Sequence, residues 1–333
     1  MMNCLNLFRI IFFPFLFLLS LIYSSLVFIK RKTTKPYTSK SYIVSVGNLQ
    51  VGGTGKSPFV IRLIESLLEK NMNVCVISKS YKAQLKEAKE VSVDDRALNV
   101  GDEALMFKKA FPNVSVFSGP SKSDTLKFAE KKTEKIIDKI FLIDDGSQHF
   151  KIKKDLKILI WDGSRSIFDL FSFPLGLSRE SLFLSEKHDF IFLNRKAGTL
   201  LSKALMFFYK EKSNCLNFEI NNIVNSEKKE LNSNAVLISG VGNYSDLYNK
   251  TEKFLKTKNL MITQKIKAKD HDSFEKYKLD FKKTYVCTDK DFDKLKDKVN
   301  QKSLYVIKSA FSIESKTLID RVLDKILKDI SAK

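Results

Sequence analysis

Three features of the sequence predict an α/β protein built on a mostly parallel sheet. Short apolar runs alternate with amphipathic stretches along most of the chain. A glycine-rich turn follows the first of these runs and opens an amphipathic segment. A long charge-free apolar segment precedes both. The 333 residues suffice for two ordinary domains of about 150 residues each.

The apolar segment covers residues 10–29 and is dominated by Phe, Leu and Ile. As a helix it spans roughly 30 Å, one hydrocarbon core. Pro14 falls in its first turns, where proline is best tolerated. Lys30, Arg31, Lys32 and Lys35 follow at once and outnumber Arg9 on the other side, which keeps the remaining chain in the cytoplasm. A cleaved signal peptide is the competing reading, but its basic region would be thin and no A-x-A site follows. Residues 1–35 are therefore expected to be a retained membrane anchor, spanning the bilayer or lying in its interface.

Strands are expected at 42–46, 74–77, 114–117, 140–143, 156–161 and 190–193, with helices between them. In the first of these helices Val60, Leu63, Ile64, Leu67 and Leu68 share one face. A Lys- and Asn-rich stretch at 222–234 marks a boundary. It divides a domain at 36–221 from a smaller C-terminal α/β domain at 222–333 with strands at 235–238, 285–288 and 304–307. A closing helix carries Ile319, Val322, Leu323, Ile326 and Ile330 on one side.

Composition narrows the chemistry. Lys+Arg 58 against Asp+Glu 38 leaves a net charge of +20, so the natural partners are phosphates, acidic lipid or nucleic acid. A hydrophobic content of 44% excludes a disordered chain. Cys4, Cys75, Cys215 and Cys287 form no CxxC pair, which speaks against a zinc site or a disulfide framework.

The strongest local signal is Gly52-Gly53-Thr54-Gly55-Lys56-Ser57. It lies between an expected strand and an expected helix, with Pro58 near the first helical position. Glycines let backbone N–H groups approach phosphates closely, and the helix N-terminus adds a favourable dipole. Lys56 can then reach the β- and γ-phosphates of a nucleoside triphosphate, while the Ser57 hydroxyl can ligate Mg²⁺. Gln50 stands where the strict pattern has its first glycine.

Phosphoryl transfer also needs acidic residues beside that loop, because Mg²⁺ neutralises the phosphate oxygens. The run at 140–143 ends in Asp144-Asp145-Gly146, as for a buried strand delivering carboxylates at its C-terminal edge; the bland alternative is a polar turn. Gly101-Asp102-Glu103 opens another helix, and its two acids read equally well as residues favoured by the helix dipole.

Taken together the motifs resemble the tetraacyldisaccharide 4'-kinase (lipid A 4'-kinase) family. The resemblance rests on residues 46–58, which include the glycine turn, on Gly101-Asp102-Glu103, and on Asp144-Asp145-Gly146-Ser147-Gln148-His149. Weaker blocks are residues 174–180, Gly240-Val241-Gly242-Asn243, Asp270-His271-Asp272 and Thr288-Asp289-Lys290-Asp291. The chain departs from the family at Lys79-Ser80-Tyr81-Lys82, where Arg-Gly-Tyr-Gly is usual, and at Asp272, where a second histidine is common.

The resemblance implies a P-loop NTPase-type domain, a smaller C-terminal α/β domain and an N-terminal membrane helix. It implies Mg²⁺ and ATP, with Gly52, Gly53, Thr54, Gly55, Lys56 and Ser57 on the nucleotide and Ser57, Asp144 and Asp145 on the metal. Asp102 would act with His271 as a dyad that removes the acceptor's proton, with Glu103, Gln148, His149, Arg179 and Glu180 in supporting places. The acceptor implied is the 4'-hydroxyl of a tetraacyldisaccharide 1-phosphate at the cytoplasmic face of the inner membrane, giving lipid IVA in lipid A biosynthesis. Neither nucleic acid nor an obligate protein partner is implied.

Two other classes compete on the residues alone. A membrane-associated P-loop NTPase switch would share the loop and the anchor, but the Asn-Lys-x-Asp spacing of a GTPase is not met by residues 288–291. A basic nucleic-acid-binding ATPase would share the charge, but the chain has no recognition motif.

Overall fold

The computed structural model describes residues 4–50, 54–80, 83–133, 139–183, 187–194, 200, 203–204, 207, 213–216, 218–269, 272–311 and 313–332. Helices α1 (Cys4–Ile11) and α2 (Phe13–Thr33) open the chain. Then come β1 (Tyr42–Gly47), α3 (Lys56–Glu69), β2 (Asn73–Lys79), β3 (Lys89–Glu90), α4 (Ala97–Val100) and α5 (Asp102–Ala110). The first unit continues through β4 (Ser115–Gly119), α6 (Lys122–Lys132), β5 (Lys139–Asp144), β6 (Leu156–Asp162), β7 (Phe190–Asn194) and β8 (Ser213–Leu216). These strands form one eight-stranded sheet in the order β3-β4-β2-β5-β1-β6-β7-β8. Only the short edge strand β3 runs antiparallel to its neighbour. The expected fold class is the one found, and each of the six expected strands forms.

The strands' near-continuous apolar runs follow from a sheet buried on both faces. Along β5, Ile140 and Leu142 enter the core under α3 and α5, while Phe141 and Ile143 face a second core with Leu126 and Ala129 of α6. Such a strand has no polar face until it ends. It ends at Asp144, which is paired in register with Val46 of β1. The first carboxylate therefore arrives beside the strand that feeds the glycine turn.

A second sheet has five strands in the order β11-β10-β12-β13-β9. Its members are β9 (Phe218–Asn225), β10 (Ala235–Ser239), β11 (Ile262–Lys267), β12 (Tyr285–Cys287) and β13 (Leu304–Phe311). Helices α7 (Tyr244–Lys256) and α8 (Asp289–Leu295) accompany it, and α9 (Ile313–Ser331) closes the chain. Strand β9 alone is antiparallel, against β13.

Two expectations about the division change here. The expected boundary at 221/222 falls inside β9, because the Asn-rich sequence of β9 forms an edge strand that pairs on one side only. The terminal helix, expected with the smaller unit, packs instead on the first sheet. Its Ile319, Val322, Leu323 and Ile326 lie in the core formed by β1, β5 and α3, each burial stabilising by about 2 kcal/mol. The smaller unit is thus an insertion between β8 and α9.

Helix α2 is 21 residues long and apolar enough to cross a membrane. It is also docked. Ser20 and Ser24 are buried and hydrogen-bond the Ser172 hydroxyl at 3.1 and 2.6 Å. Arg31 makes a 2.6 Å ion pair with the buried Glu180, and Arg9 of α1 lies 3.8 Å from the buried Asp169. Residues 9, 20, 24 and 31 make a polar seam against the protein, while Phe15, Leu18, Ile22, Leu26 and Ile29 remain exposed.

Candidate active site

The site forms at the C-terminal edge of the first sheet, where open α/β sheets bind ligands. Gly55 caps α3 with φ 83°, a left-handed conformation that glycine adopts without a Cβ clash. Lys56 and Ser57 follow as the first residues of α3. The Lys56 ammonium donates to Asn48 Oδ1 at 3.0 Å and lies 3.3 Å from Asp145 Oδ1. Gly52 and Gly53 lie outside the described residues.

Gln50, the departure from the strict loop pattern, acts as a brace. Its Oε1 accepts from the Asp162 backbone N–H at 2.7 Å, and its Nε2 donates to the Asp162 carbonyl at 3.3 Å. The side chain thus ties the loop to the end of β6. Asn48 donates to the Gln50 carbonyl at 2.7 Å. Across the loop, Asn194 at the end of β7 donates to the Thr54 carbonyl at 2.8 Å.

The paired carboxylates occupy different environments. Asp144 is buried, and its Oδ1 has no hydrogen-bond partner among the described residues. Burial, reinforced by the nearby Glu103 charge, pushes its pKa up to about 8 despite Lys56 and Lys122. Asp145 meets Lys56 on one oxygen and Arg179 on the other, the latter at 3.4 Å. Its burial is outweighed by Lys56, Lys122 and Arg179, so its pKa falls well below the usual carboxylate range. Asp145 also holds φ 51°, and Gly146 beside it has no room for a Cβ, which would stand 2.3 Å from Ser45 Oγ.

Lys122 joins the site without belonging to any of the motifs. It starts α6, is 3% exposed, and donates to the Asp145 carbonyl at 2.6 Å. Burial pushes its pKa down, opposed by Asp145, Asp144 and Glu103. A single lysine after a strand carries no spacing signal, so only the tertiary structure brings it to the carboxylates. Burial beside Lys122 and Lys154 also depresses His149 to about 4, and its Nε2 has no hydrogen-bond partner among the described residues.

Asp102 and Glu103 form the first turn of α5. Glu103 lines the central cleft of about 1530 Å³ together with Lys56, Ser57, Lys122, Asp144, Asp145 and Arg179. The second unit closes the other side of that cleft with Val241, Asn243, Asp289 and Lys308. Asp102 ion-pairs at 2.5 Å with Lys294 of α8. His271 lies outside the described residues, and so does its expected pairing with Asp102. Glu180 departs from its expected supporting place: it is buried under α2 and engaged by Arg31. Gln148 is half-buried beside His149.

Mg²⁺ fits this set. It takes one or two carboxylates plus phosphate oxygens and waters rather than an all-protein cage, so the absence of a group of three or more His, Cys, Asp or Glu ligands among the described residues does not conflict with it. The unpartnered Asp144 Oδ1, the adjoining Asp145 and the Ser57 hydroxyl beside Lys56 supply donors of the required hard-oxygen kind.

A lysine opening a helix after a parallel strand, with carboxylates ending the adjacent strand, defines a P-loop nucleoside-triphosphate-binding protein. The family model described as tetraacyldisaccharide-1-P 4'-kinase matches residues 12–328, and the chain belongs to that family. The tetraacyldisaccharide 4'-kinase of Bdellovibrio bacteriovorus is 30% identical over 285 residues, covering 79% of this chain and 82% of the relative. That of Francisella tularensis subsp. holarctica is 32% identical over 291 residues, covering 82% and 88%. The crystal structure of LpxK from Aquifex aeolicus in complex with ATP shares the fold, with a TM-score of 0.73 at 24% identity over 97% of this chain and 99% of that one.

Proposed function

We propose that this protein transfers the γ-phosphoryl group of ATP to the 4'-hydroxyl of a tetraacyldisaccharide 1-phosphate, giving lipid IVA and ADP. The carrying observation is Lys56 at the start of α3 facing the Asp144–Asp145 pair across one cleft in a member of this kinase family.

Lys56, the loop amides and Thr54 hold the triphosphate, and Lys122 and Arg179 supply further positive charge beside it. Asp144, Asp145 and Ser57 hold Mg²⁺, which when bound neutralises phosphate charge. Asp102 with His271 accepts the proton of the acceptor hydroxyl as its oxygen bonds to the γ-phosphorus and the bond to the β-phosphate oxygen breaks. Glu103, which lines the cleft, and Gln148 and His149, which follow the Asp144–Asp145 pair in the chain, act as supporting residues.

Helix α2 brings the cleft to its lipid. Its exposed apolar side enters the inner membrane, and Lys30, Lys32 and Lys35 meet acidic headgroups on the cytoplasmic face. The seam at Ser172 and Glu180 supports an orientation in which the helix stays docked to the kinase unit.

The test is direct. Purified protein in mixed micelles with Mg²⁺, radiolabelled ATP and the tetraacyldisaccharide 1-phosphate is expected to yield a bis-phosphorylated lipid. Lys56→Ala is expected to lower the rate by at least about 100-fold. No lipid product beside an active relative assayed in parallel would sink the reading, and partner-stimulated ATP hydrolysis without lipid turnover would favour the switch.

A further inference from the structure

Between β6 and β7 the chain makes a fixed turn that displays apolar side chains. The Phe173 N–H donates to the Ser178 carbonyl and the Gly176 N–H to the Ser172 carbonyl, both at 3.0 Å. The Leu177 N–H donates to Asp169 Oδ1 at 2.9 Å, and the Arg179 N–H to the Leu49 carbonyl at 2.8 Å. Gly176 has no room for a Cβ, which would stand 2.2 Å from the carbonyl oxygens of Phe168 and Phe171. Yet Phe173, Leu177 and Phe183 are 60%, 39% and 49% exposed. Neighbouring exposed apolar side chains on a rigid surface mark an interaction site.

Helix α2 says what covers them. From Ser20 to Arg31, roughly 16 Å of helix, α2 is held to this turn by the hydroxyls of Ser20 and Ser24 on Ser172 and by Arg31 on Glu180. The apolar surfaces are continuous as well. Ring centroids lie 6.5 Å apart for Phe13 and Phe168, 5.7 Å for Phe17 and Phe171, and 5.9 Å for Phe171 and Phe183. Whatever depth α2 reaches in a bilayer, the turn docked on it reaches as well. Non-helical backbone is tolerated at that depth only where the protein itself satisfies its polar groups, and the N–H groups of Phe173, Gly176, Leu177 and Arg179 are satisfied in this way.

We infer that the 171–183 turn is a second bilayer contact beside α2, with Phe173, Leu177 and Phe183 seated among lipid at the boundary of headgroups and acyl chains. The inference rests on the membrane part of the proposed function, in which the exposed side of α2 enters the bilayer. Leu177 stands two residues before Arg179, which meets Asp145 in the cleft at 3.4 Å. Two contacts, a helix and a turn, fix the tilt of the kinase unit on the membrane where one helix would leave it free to roll.

The experiment places a fluorescent reporter at each position of the full-length protein in vesicles of equimolar phosphatidylethanolamine and phosphatidylglycerol. The chain's one tryptophan, Trp161, is fully buried and supplies a constant background. Phe173→Trp, Leu177→Trp and Phe183→Trp are each expected to shift emission to the blue on vesicle binding. Each should lose emission to brominated lipids, more to bromines about 5–10 Å below the headgroups than to bromines at the bilayer centre. Leu26→Trp on α2 reports the anchor, and Phe281→Trp, exposed on the second unit, is expected to keep its emission. Quenching at Leu26→Trp but at none of the three turn positions overturns the inference and leaves the anchor standing. Absence of quenching at Leu26→Trp as well overturns both. A blue shift at the turn without quenching would mean that protein, such as a second copy of the chain, covers the patch, and quenching at Phe281→Trp would mean unspecific contact; either overturns the inference. Should the turn variants fail to fold, as read by their melting curves, a photoactivatable phospholipid in the same vesicles decides with the unaltered protein: label on α2 but not on peptides covering 171–183 overturns it. Failure of lipid phosphorylation with the turn quenched would sink the kinase reading and leave this one in place.

Discussion

The Asp102 carboxylate lies 2.5 Å from the Lys294 ammonium, and the two side chains belong to different units: α5 flanks the first sheet and α8 the second. Lys109 and Asp293 form a second ion pair across the same junction. The residue expected to accept the substrate proton is therefore held by a cation from the other unit. Lys294 positions Asp102 only while the two units are together.

Lys294→Ala is accordingly expected to lower kcat by about 10-fold with little change in the KM for ATP, because Lys56 and the loop are untouched. Lys294→Arg keeps the charge and should restore most of the rate. Steady-state kinetics with varied ATP checks this. A rise in KM for ATP with kcat unchanged would mean that Lys294 serves the nucleotide instead.

Asp144 exchanges stability for chemistry. Its burial disfavours the ionised form, and a neutral isostere removes that penalty. Asp144→Asn should raise the melting temperature of the metal-free protein at pH 8 by a few degrees, about 1 kcal/mol. It should also reduce phosphoryl transfer by about 100-fold or more. Thermal melts and the lipid kinase assay read the two effects separately.

His149 gives a pH dependence of defined sign. Its folded pKa of about 4 lies below the ordinary 6.5, so between these values the unfolded chain binds more protons than the folded one. The stabilisation from keeping it neutral is complete above pH 6.5 and lost as pH falls towards 4. Asp144, raised to about 8 from 3.8, has the opposite slope, with stability lost as pH rises through that window. Denaturant melts of His149→Gln are expected to show a shallower loss than wild type between pH 6.5 and 4.

The polar seam under α2 predicts a coupling between anchor and kinase unit. Arg31→Ala removes the cation that meets the buried Glu180 and should destabilise by about 3 kcal/mol. Adding Glu180→Leu in an Arg31→Met background removes both charges and should recover most of that loss. Denaturant unfolding in detergent checks the pair. Additive losses in the double variant would mean that the two side chains act independently.

Much of this was legible in the primary structure because it depends on local pattern. The strand positions follow from apolar runs that fill both faces of a parallel sheet. The glycine turn, Lys56 and Ser57 are contiguous, and Asp144 and Asp145 follow their strand directly. Strands β9 and β11 escaped because they are edge strands whose alternation of Asn, Lys and Gln with Ile resembles a solvated loop. Gln50 looked like a lapse in the loop pattern, but it pairs with the end of β6, 112 residues away.

The fold class, the phosphate loop, the carboxylate pair and the apolar helix are written in local pattern, each a matter of spacing within a few residues. Folding in three dimensions alone buries Lys122 against Asp145, sets Lys294 on Asp102, brings Arg31 to Glu180 and returns α9 to the first sheet. Those are pairings of charged or apolar groups from distant segments. Their energies arise from desolvation and charge proximity that exist only once the sheets have brought the segments together.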